Sequence, residues 1–214
     1  MLKALLLDFG GVMIMTGFEL HPLTEKILGL APGALSWHGP FDPASDPLWQ
    51  AMQHDEITER EYWGIRAQEI GQLIGETWDV LAYMRAIKCA SPDKTIRPEA
   101  VETIRLAKAR GFKVGLLTNE LELFYGQDCV ERISILGELD AIVDATHTKI
   151  LKPRPEAYQM ALEALGVAAH ETLFVDDQQR NIVGARQVGL ETLHFDITRP
   201  ADAYAQVRLR LGLL

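Results

Sequence analysis

Short apolar runs punctuate the chain, and most of them end on polar residues. The first is Ala4-Leu5-Leu6-Leu7, closed by Asp8 and then by Gly10-Gly11. Val114-Gly115-Leu116-Leu117 precedes Thr118-Asn119, Ala141-Ile142-Val143 precedes Asp144, and Leu173-Phe174-Val175 precedes Asp176-Asp177. Thr192-Leu193-His194-Phe195 makes a fifth. Runs of this length, bounded by turn signals, read as strands. The first run has no apolar–polar alternation, which suits a strand covered on both faces of a parallel sheet. Helical patterns lie between the later runs. Val101, Ile104 and Ala107 follow Pro98 and stop at Gly111, and Tyr158, Ala161, Leu162 and Leu165 follow Pro155 and stop at Gly166. Residues 181–188 form another helix, with Gly184 allowing close packing, and Tyr204, Val207 and Leu211 mark a last one. Pro at the first helical position and Gly after the last are ordinary boundary signals. Strands and helices in alternation predict an α/β fold, a Rossmann-like parallel sheet with helices on both faces.

One region breaks this rhythm. Residues 17–90 hold all four tryptophans (Trp37, Trp49, Trp63 and Trp78) and the loop Gly39-Pro40-Phe41-Asp42-Pro43. Leu48, Trp49 and Met52 suggest one helix there. Thr58 with Glu61 three residues on has the spacing of a capping box, ahead of Tyr62, Ile65 and Ile70. Residues 78–87 suggest a third helix, and no strand pattern appears. The expected organisation is an inserted α-helical domain at 17–90, splitting a core made of 1–16 and 91–214.

Composition narrows the function classes. Of the 214 residues, 48% are hydrophobic and 24% charged, ordinary values for a globular chain with a core. The formal net charge of −9 argues against sequence-independent binding to nucleic acid, which needs a basic face. It leaves a small anionic substrate open. No apolar stretch approaches a membrane span, and the first run is too short for a secretory signal. Cys89 and Cys129 lie far apart without metal-ligand spacing, so they are expected to be buried free thiols in a reducing compartment. Cytoplasmic localisation follows as an expectation, with a monomer or homodimer as the assembly.

Ligands of parallel sheets bind at the carboxyl ends of the strands. Asp8, Thr118-Asn119 and Asp176-Asp177 occupy three such ends, with Lys152-Pro153-Arg154-Pro155 between the last two. Two carboxylates about 4 Å apart repel by roughly 4 kcal/mol at an effective dielectric of 20. A hard divalent cation such as Mg2+, held by carboxylates with water and phosphate oxygens, relieves that repulsion. Lys152 adds positive charge, and the amides after Asp8 can form an anion-binding concavity. Each feature also has a plainer reading. Asp8 could be a turn residue, Asp176-Asp177 a helix cap, Thr118-Asn119 a helix start, and Lys152 a solvated lysine. His147 reads as a solvated loop residue and Arg154 as a surface charge. His21, His38 and His54 have no ligand spacing, and the tryptophans read as the core of the insert.

Taken in order, Asp8-Phe9-Gly10-Gly11-Val12, Leu116-Leu117-Thr118-Asn119, Lys152-Pro153-Arg154-Pro155-Glu156-Ala157-Tyr158 and Val175-Asp176-Asp177 with Asn181 resemble the four motifs of the haloacid dehalogenase-like hydrolases. The helical insert after the first motif is similar to that family's cap. The resemblance implies Asp8 as a nucleophile that forms an aspartyl-phosphate on a small phosphorylated substrate. It implies Thr118 and Asn119 as phosphate ligands, with Phe9 and Gly10 beside the substrate. Lys152 would restrain Asp8 and the transferring phosphoryl group. Mg2+ would be held by Asp8, Asp177 and the Gly10 carbonyl, with Asp176 bound directly or through water. One position departs from the pattern. Most phosphatases of the family carry a second Asp two residues after the nucleophile, as a general acid and base, and here that place is Gly10. A metal-independent 2-haloacid dehalogenase, which also lacks that Asp, and a non-catalytic ligand-binding relative are the alternatives. The Asp176-Asp177 pair favours the metal-dependent phosphatase.

Overall fold

The computed structural model describes residues 1–214. Five strands form one sheet in the order β3-β2-β1-β4-β5: β1 Ala4–Leu7, β2 Lys113–Thr118, β3 Ala141–Asp144, β4 Thr172–Asp176 and β5 Glu191–His194. Every pairing is parallel. The expected α/β fold is present, with strand boundaries within a residue or so of the apolar runs. Leu5 and Leu7 join a large apolar cluster on one face, while Ala4 and Leu6 join a smaller one on the other. This two-sided burial is why β1 carries no polar alternation.

The helices are α1 His21–Leu28, α2 Pro47–Gln53, α3 Glu59–Leu73, α4 Val80–Ile87, α5 Pro98–Ala109, α6 Leu121–Tyr125, α7 Gln127–Val130, α8 Ala145–Thr148, α9 Pro155–Leu165, α10 Gln179–Gln187 and α11 Pro200–Arg210. Ala157, Tyr158, Ala161 and Leu165 of α9, with Ile182 and Ala185 of α10, cover the Ala4–Leu6 face. Ala100, Ile104 and Ala107 of α5, with Tyr204 and Val207 of α11, cover the other. Gly184 permits the expected close packing, since a Cβ there would lie 2.7 Å from Pro153.

Helices α1–α4 fall between β1 and α5 and share the larger cluster with the sheet. The capping box at Thr58 and Glu61 forms as expected. Phe18 meets Trp37, Trp49, Tyr62 and Trp63 at ring-centroid distances of 5.3–6.2 Å. Gly39 approaches Phe18 so closely that a Cβ would lie 2.4 Å from the ring. The polar anchor of this packing is Asp46, which is fully buried. It caps α2 by accepting from Trp49 N at 2.8 Å and also accepts from Tyr62 Oη at 2.7 Å and Arg66 Nη2 at 2.5 Å. A buried carboxylate is tolerated when its oxygens are occupied in this way.

The cysteine expectation is overturned. Cys89, just after α4, and Cys129, in α7, form a disulfide. They are separated by 40 residues in sequence, and α4 packing against α6 brings the two segments together. The inference of a reducing compartment from free thiols therefore fails. No helix is long and apolar enough to cross a membrane.

Candidate active site

Strand register decides what meets at the carboxyl edge of the sheet. Leu7 pairs with Leu116 of β2 and with Val175 of β4. The next residues along, Asp8 and Asp176, therefore emerge side by side, and Thr118 rises on the opposite flank. The strand order reverses at β1, which is where an open α/β sheet leaves a crevice.

Lys152 reaches into this crevice from the loop before α9. Its Nζ lies 2.5 Å from Asp8 Oδ1 and 2.6 Å from Asp176 Oδ2. The lysine side chain is 1% exposed. Burial disfavours its charge, but the two carboxylates outweigh that and drive its pKa upward. It is therefore no solvated loop residue. Asn119 fixes its backbone: Oδ1 accepts from Lys152 N at 2.8 Å and Nδ2 donates to Lys152 O at 3.3 Å. The amide that the resemblance assigns to phosphate thus holds the lysine loop in this structure.

Asp176 is equally committed. Oδ1 accepts from Gln178 N at 2.7 Å, and Asn181 Nδ2 donates to its two oxygens at 3.1 and 3.0 Å. Helix α10 starts from Gln178 without a side-chain cap, so Asp176 and Asp177 do not serve as its N-cap. Asp177 has less support, its carboxylate meeting only Gln178 Nε2 at 3.4 Å. Burial, followed by the charges of Asp176, Asp8 and Glu59, raises its carboxyl well above the usual range. Asp8 is pushed up to about 7, mainly by burial and against the pull of Lys152.

Carboxylate oxygens of Asp8, Asp176 and Asp177 lie within 4.8 Å of one another. Three acidic groups meet one lysine here, which bridges Asp8 and Asp176, and ionising all three would leave net negative charge. That donor set fits a hard divalent cation with oxygen ligands.

The turn after β1 follows from its glycines. Gly11 has φ +71°, and an added Cβ would press within 3.2 Å of Asp177 Oδ2 and Ile197. Its carbonyl accepts from Arg97 Nε at 2.9 Å, while the Arg97 guanidinium also forks onto Glu19 at 2.8 and 2.7 Å. Phe9 is buried edge-on against Tyr125, so what it can offer a ligand is backbone. Gly10 is exposed at the cleft, and a Cβ there would meet only Asp8 Oδ2, at 3.9 Å.

The cleft over these residues encloses about 790 Å³, its open mouth included. Trp49 of α2, Glu59 and Trp63 of α3, and Lys88 just after α4 line its wall. Three tryptophans are buried as core, and Trp63 is both core and cleft wall. Lys88 donates to Met15 O at 2.9 Å and to Tyr125 Oη at 3.2 Å, and burial lowers its pKa to about 7. Glu59 and Lys88 were not legible as site residues. The first sits inside a capping signal and the second ends an apolar helix. His147 lies apart, exposed on α8 with Nε2 2.9 Å from Glu122. Arg154 is exposed beside Glu156.

Against known proteins, a family model for haloacid dehalogenase-like hydrolases matches residues 2–189. The chain belongs to the haloacid dehalogenase-like hydrolases. It is 25% identical over 207 residues to YhcW of Bacillus subtilis (strain 168), named as a phosphatase, covering 89% of this chain and 82% of that protein. Pyrophosphatase PpaX of Bacillus cereus (strain B4264) is 34% identical over 109 residues, 49% of this chain and 48% of PpaX. Against that relative, the match spans about half the length. Among solved structures, a HAD phosphatase from Thermococcus onnurineus aligns over 99% of this chain and 98% of its own, at 17% identity and a TM-score of 0.60. An L-2-haloacid dehalogenase from Xanthobacter autotrophicus aligns over 90% and 76%, at 20% identity and a TM-score of 0.57. These two establish a shared fold. The family match makes the chain a hydrolase of this superfamily.

Proposed function

We infer that the protein is a Mg2+-dependent phosphatase acting on a small phosphorylated compound through an aspartyl-phosphate on Asp8. The observation that carries this reading is the cluster of Asp8, Asp176 and Asp177, the first two bridged by a single buried lysine. Asp8, Asp177 and the Gly10 carbonyl would hold the cation, with Asp176 bound directly or through water. When bound, the cation neutralises charge at the transferring phosphoryl group. Residues 17–90 act as a helical cap over a core of 1–16 and 91–214, with the cleft between them.

The roles of the chain's own residues follow from the geometry. Lys152 favours the ionised form of Asp8 against its burial and aims its carboxylate, and Asp176 and Asn119 keep Lys152 in place. Asp8 attacks phosphorus, the bond to the leaving oxygen breaks, and water then displaces Asp8 from the phosphoryl group. Thr118, buried at the end of β2, lines the cleft and holds a phosphate oxygen through its hydroxyl. Backbone amides after Asp8 serve other phosphate oxygens. Catalysis is positioning and charge stabilisation.

A panel of phosphate esters, assayed with Mg2+ and with chelator, tests the reading. Phosphate release that requires Mg2+ supports it. Halide release from a 2-haloacid that is unaffected by chelator, with no ester turned over, would assign the site to the dehalogenase chemistry instead.

A further inference from the structure

Gly10 leaves the second position after the nucleophile without a proton carrier, although an added Cβ there would have room. The cleft wall holds four acidic residues: Asp8, Asp177, Glu120 and Glu59. Asp8 and Asp177 already have roles, and Glu120 is paired with Arg60 at 2.7 Å. Glu59 is the first residue of α3 and the only one of the four that the insert supplies. Its place is fixed from both sides in sequence. Asp55 pairs with Arg180 of α10 at 2.7 Å, and Arg60 reaches Glu120 just before α6. These two ion pairs bring the start of α3 against the carboxyl edge of the sheet. The charge of Glu59 acts on Asp8, Asp177, Glu120 and Tyr125, and those of Lys152, Asp176 and Arg180 act on Glu59. Glu59 thus faces the same cleft as Asp8, Gly10 and Asp177.

We propose that Glu59 is the general acid and base of this enzyme, supplying from the insert the proton transfer that Gly10 cannot supply from β1; this rests on the phosphatase reading above. As Asp8 bonds to phosphorus and the bond to the leaving oxygen breaks, the Glu59 carboxyl gives that oxygen its proton. The resulting carboxylate takes a proton from the water that attacks phosphorus, which frees Asp8 and phosphate and restores Glu59. Burial is the largest influence on Glu59 and raises its carboxyl. Asp176 adds to the rise, and Arg180, Lys152 and Trp63 oppose it. A carboxyl that holds its proton closer to neutrality suits an acid. Lys88, the other titratable group that the insert places in the cleft, is held at Met15 and Tyr125, with Glu19 and Arg97 as the charges acting on it.

The test compares kcat/KM for p-nitrophenyl phosphate, whose leaving group needs no proton, with kcat/KM for the best alkyl phosphate of the panel. Glu59→Gln should lose about 100-fold or more on the alkyl ester and less than about threefold on the aryl ester. Glu59→Ala should show the same split, and Gly10→Asp introduced into Glu59→Gln should restore alkyl turnover. Retained aryl turnover in the same sample shows that the variant is folded. An equal loss on both esters in both variants, or no loss on either, overturns the proposal. So does a wild type that hydrolyses aryl esters and no alkyl ester. A wild type that hydrolyses no phosphate ester overturns the phosphatase reading itself, and the proposal falls with it.

Discussion

Asp177→Asn should make the metal-free protein more stable and deprive it of its response to Mg2+. Oxygens of Asp8, Asp176 and Asp177 lie within 4.8 Å of one another. At a pH where Asp8 and Asp177 are both ionised, Lys152 offsets one of the two charges on Asp8 and Asp176, so Asp177 faces roughly one uncompensated negative charge. At that separation and an effective dielectric of 20, the repulsion is about 3.5 kcal/mol. Asp177 is only half-buried, so solvent screening brings this to about 2 kcal/mol. For a chain of this size that corresponds to a melting temperature about 4–8 °C higher in chelator. Mg2+ at a hundredfold excess over its dissociation constant should stabilise the wild type by about 2.7 kcal/mol. The variant should gain far less, so the order of the two melting curves should close up or reverse. The pH dependence has a definite sign. Asp8 is raised from 3.8 to about 7, so the folded state holds its proton where the unfolded state has lost it. Its contribution to stability is present below about pH 4 and is lost as pH rises through about 7. Asp177, raised in the same direction, adds to this slope, and Asp177→Asn should flatten it. A variant that melts at or below the wild type in chelator, or an equal Mg2+ response in both, would rule out Asp177 as a cation ligand held under charge repulsion. Differential scanning fluorimetry across pH, with and without Mg2+, reads all of this.

Lys152→Met removes the counterion of two buried carboxylates and should cost about 3–5 kcal/mol in urea unfolding, with activity lost. Gly184→Ala places a Cβ 2.7 Å from Pro153, so it should destabilise by about 1–3 kcal/mol and lower kcat more than it raises KM, because the displaced loop carries Lys152. Lys88 is lowered from 10.5 to about 7, so the unfolded chain binds its proton more tightly and its contribution to stability rises with pH from about 7 to 10.5. Lys88→Met should remove that rise from a pH series of melting temperatures.

The sheet was legible because strands buried on both faces must be apolar along their whole length, and turn residues mark where they stop. Asp8, Asp176, Asp177 and Lys152 were legible because polar groups at strand ends and before a helix stand out against such runs. What escaped depends on tertiary contact. Helices α6–α8 are four or five residues long, and Asp144 supports two of them by accepting from Leu121 N, Glu122 N and Thr146 N. The Cys89–Cys129 disulfide joins segments that nothing in their spacing relates. Asp46 looked like one acidic residue among many, yet its four partners come from the Gly39 turn, α2 and α3. Glu59 was hidden by the capping box around it, whose residues Thr58 and Glu61 explain the helix start without it.

The decisive assignment is Asp8 as the carrier of the phosphoryl group. It is tested most directly by quenching the enzyme in acid during turnover of radiolabelled p-nitrophenyl phosphate with Mg2+, then mapping the label. An acid-stable, hydroxylamine-labile label should appear on the peptide that contains Asp8, absent in chelator and absent from Asp8→Asn, which should also be inactive. Label on any other residue, or undiminished Mg2+-dependent turnover by Asp8→Asn, would contradict it.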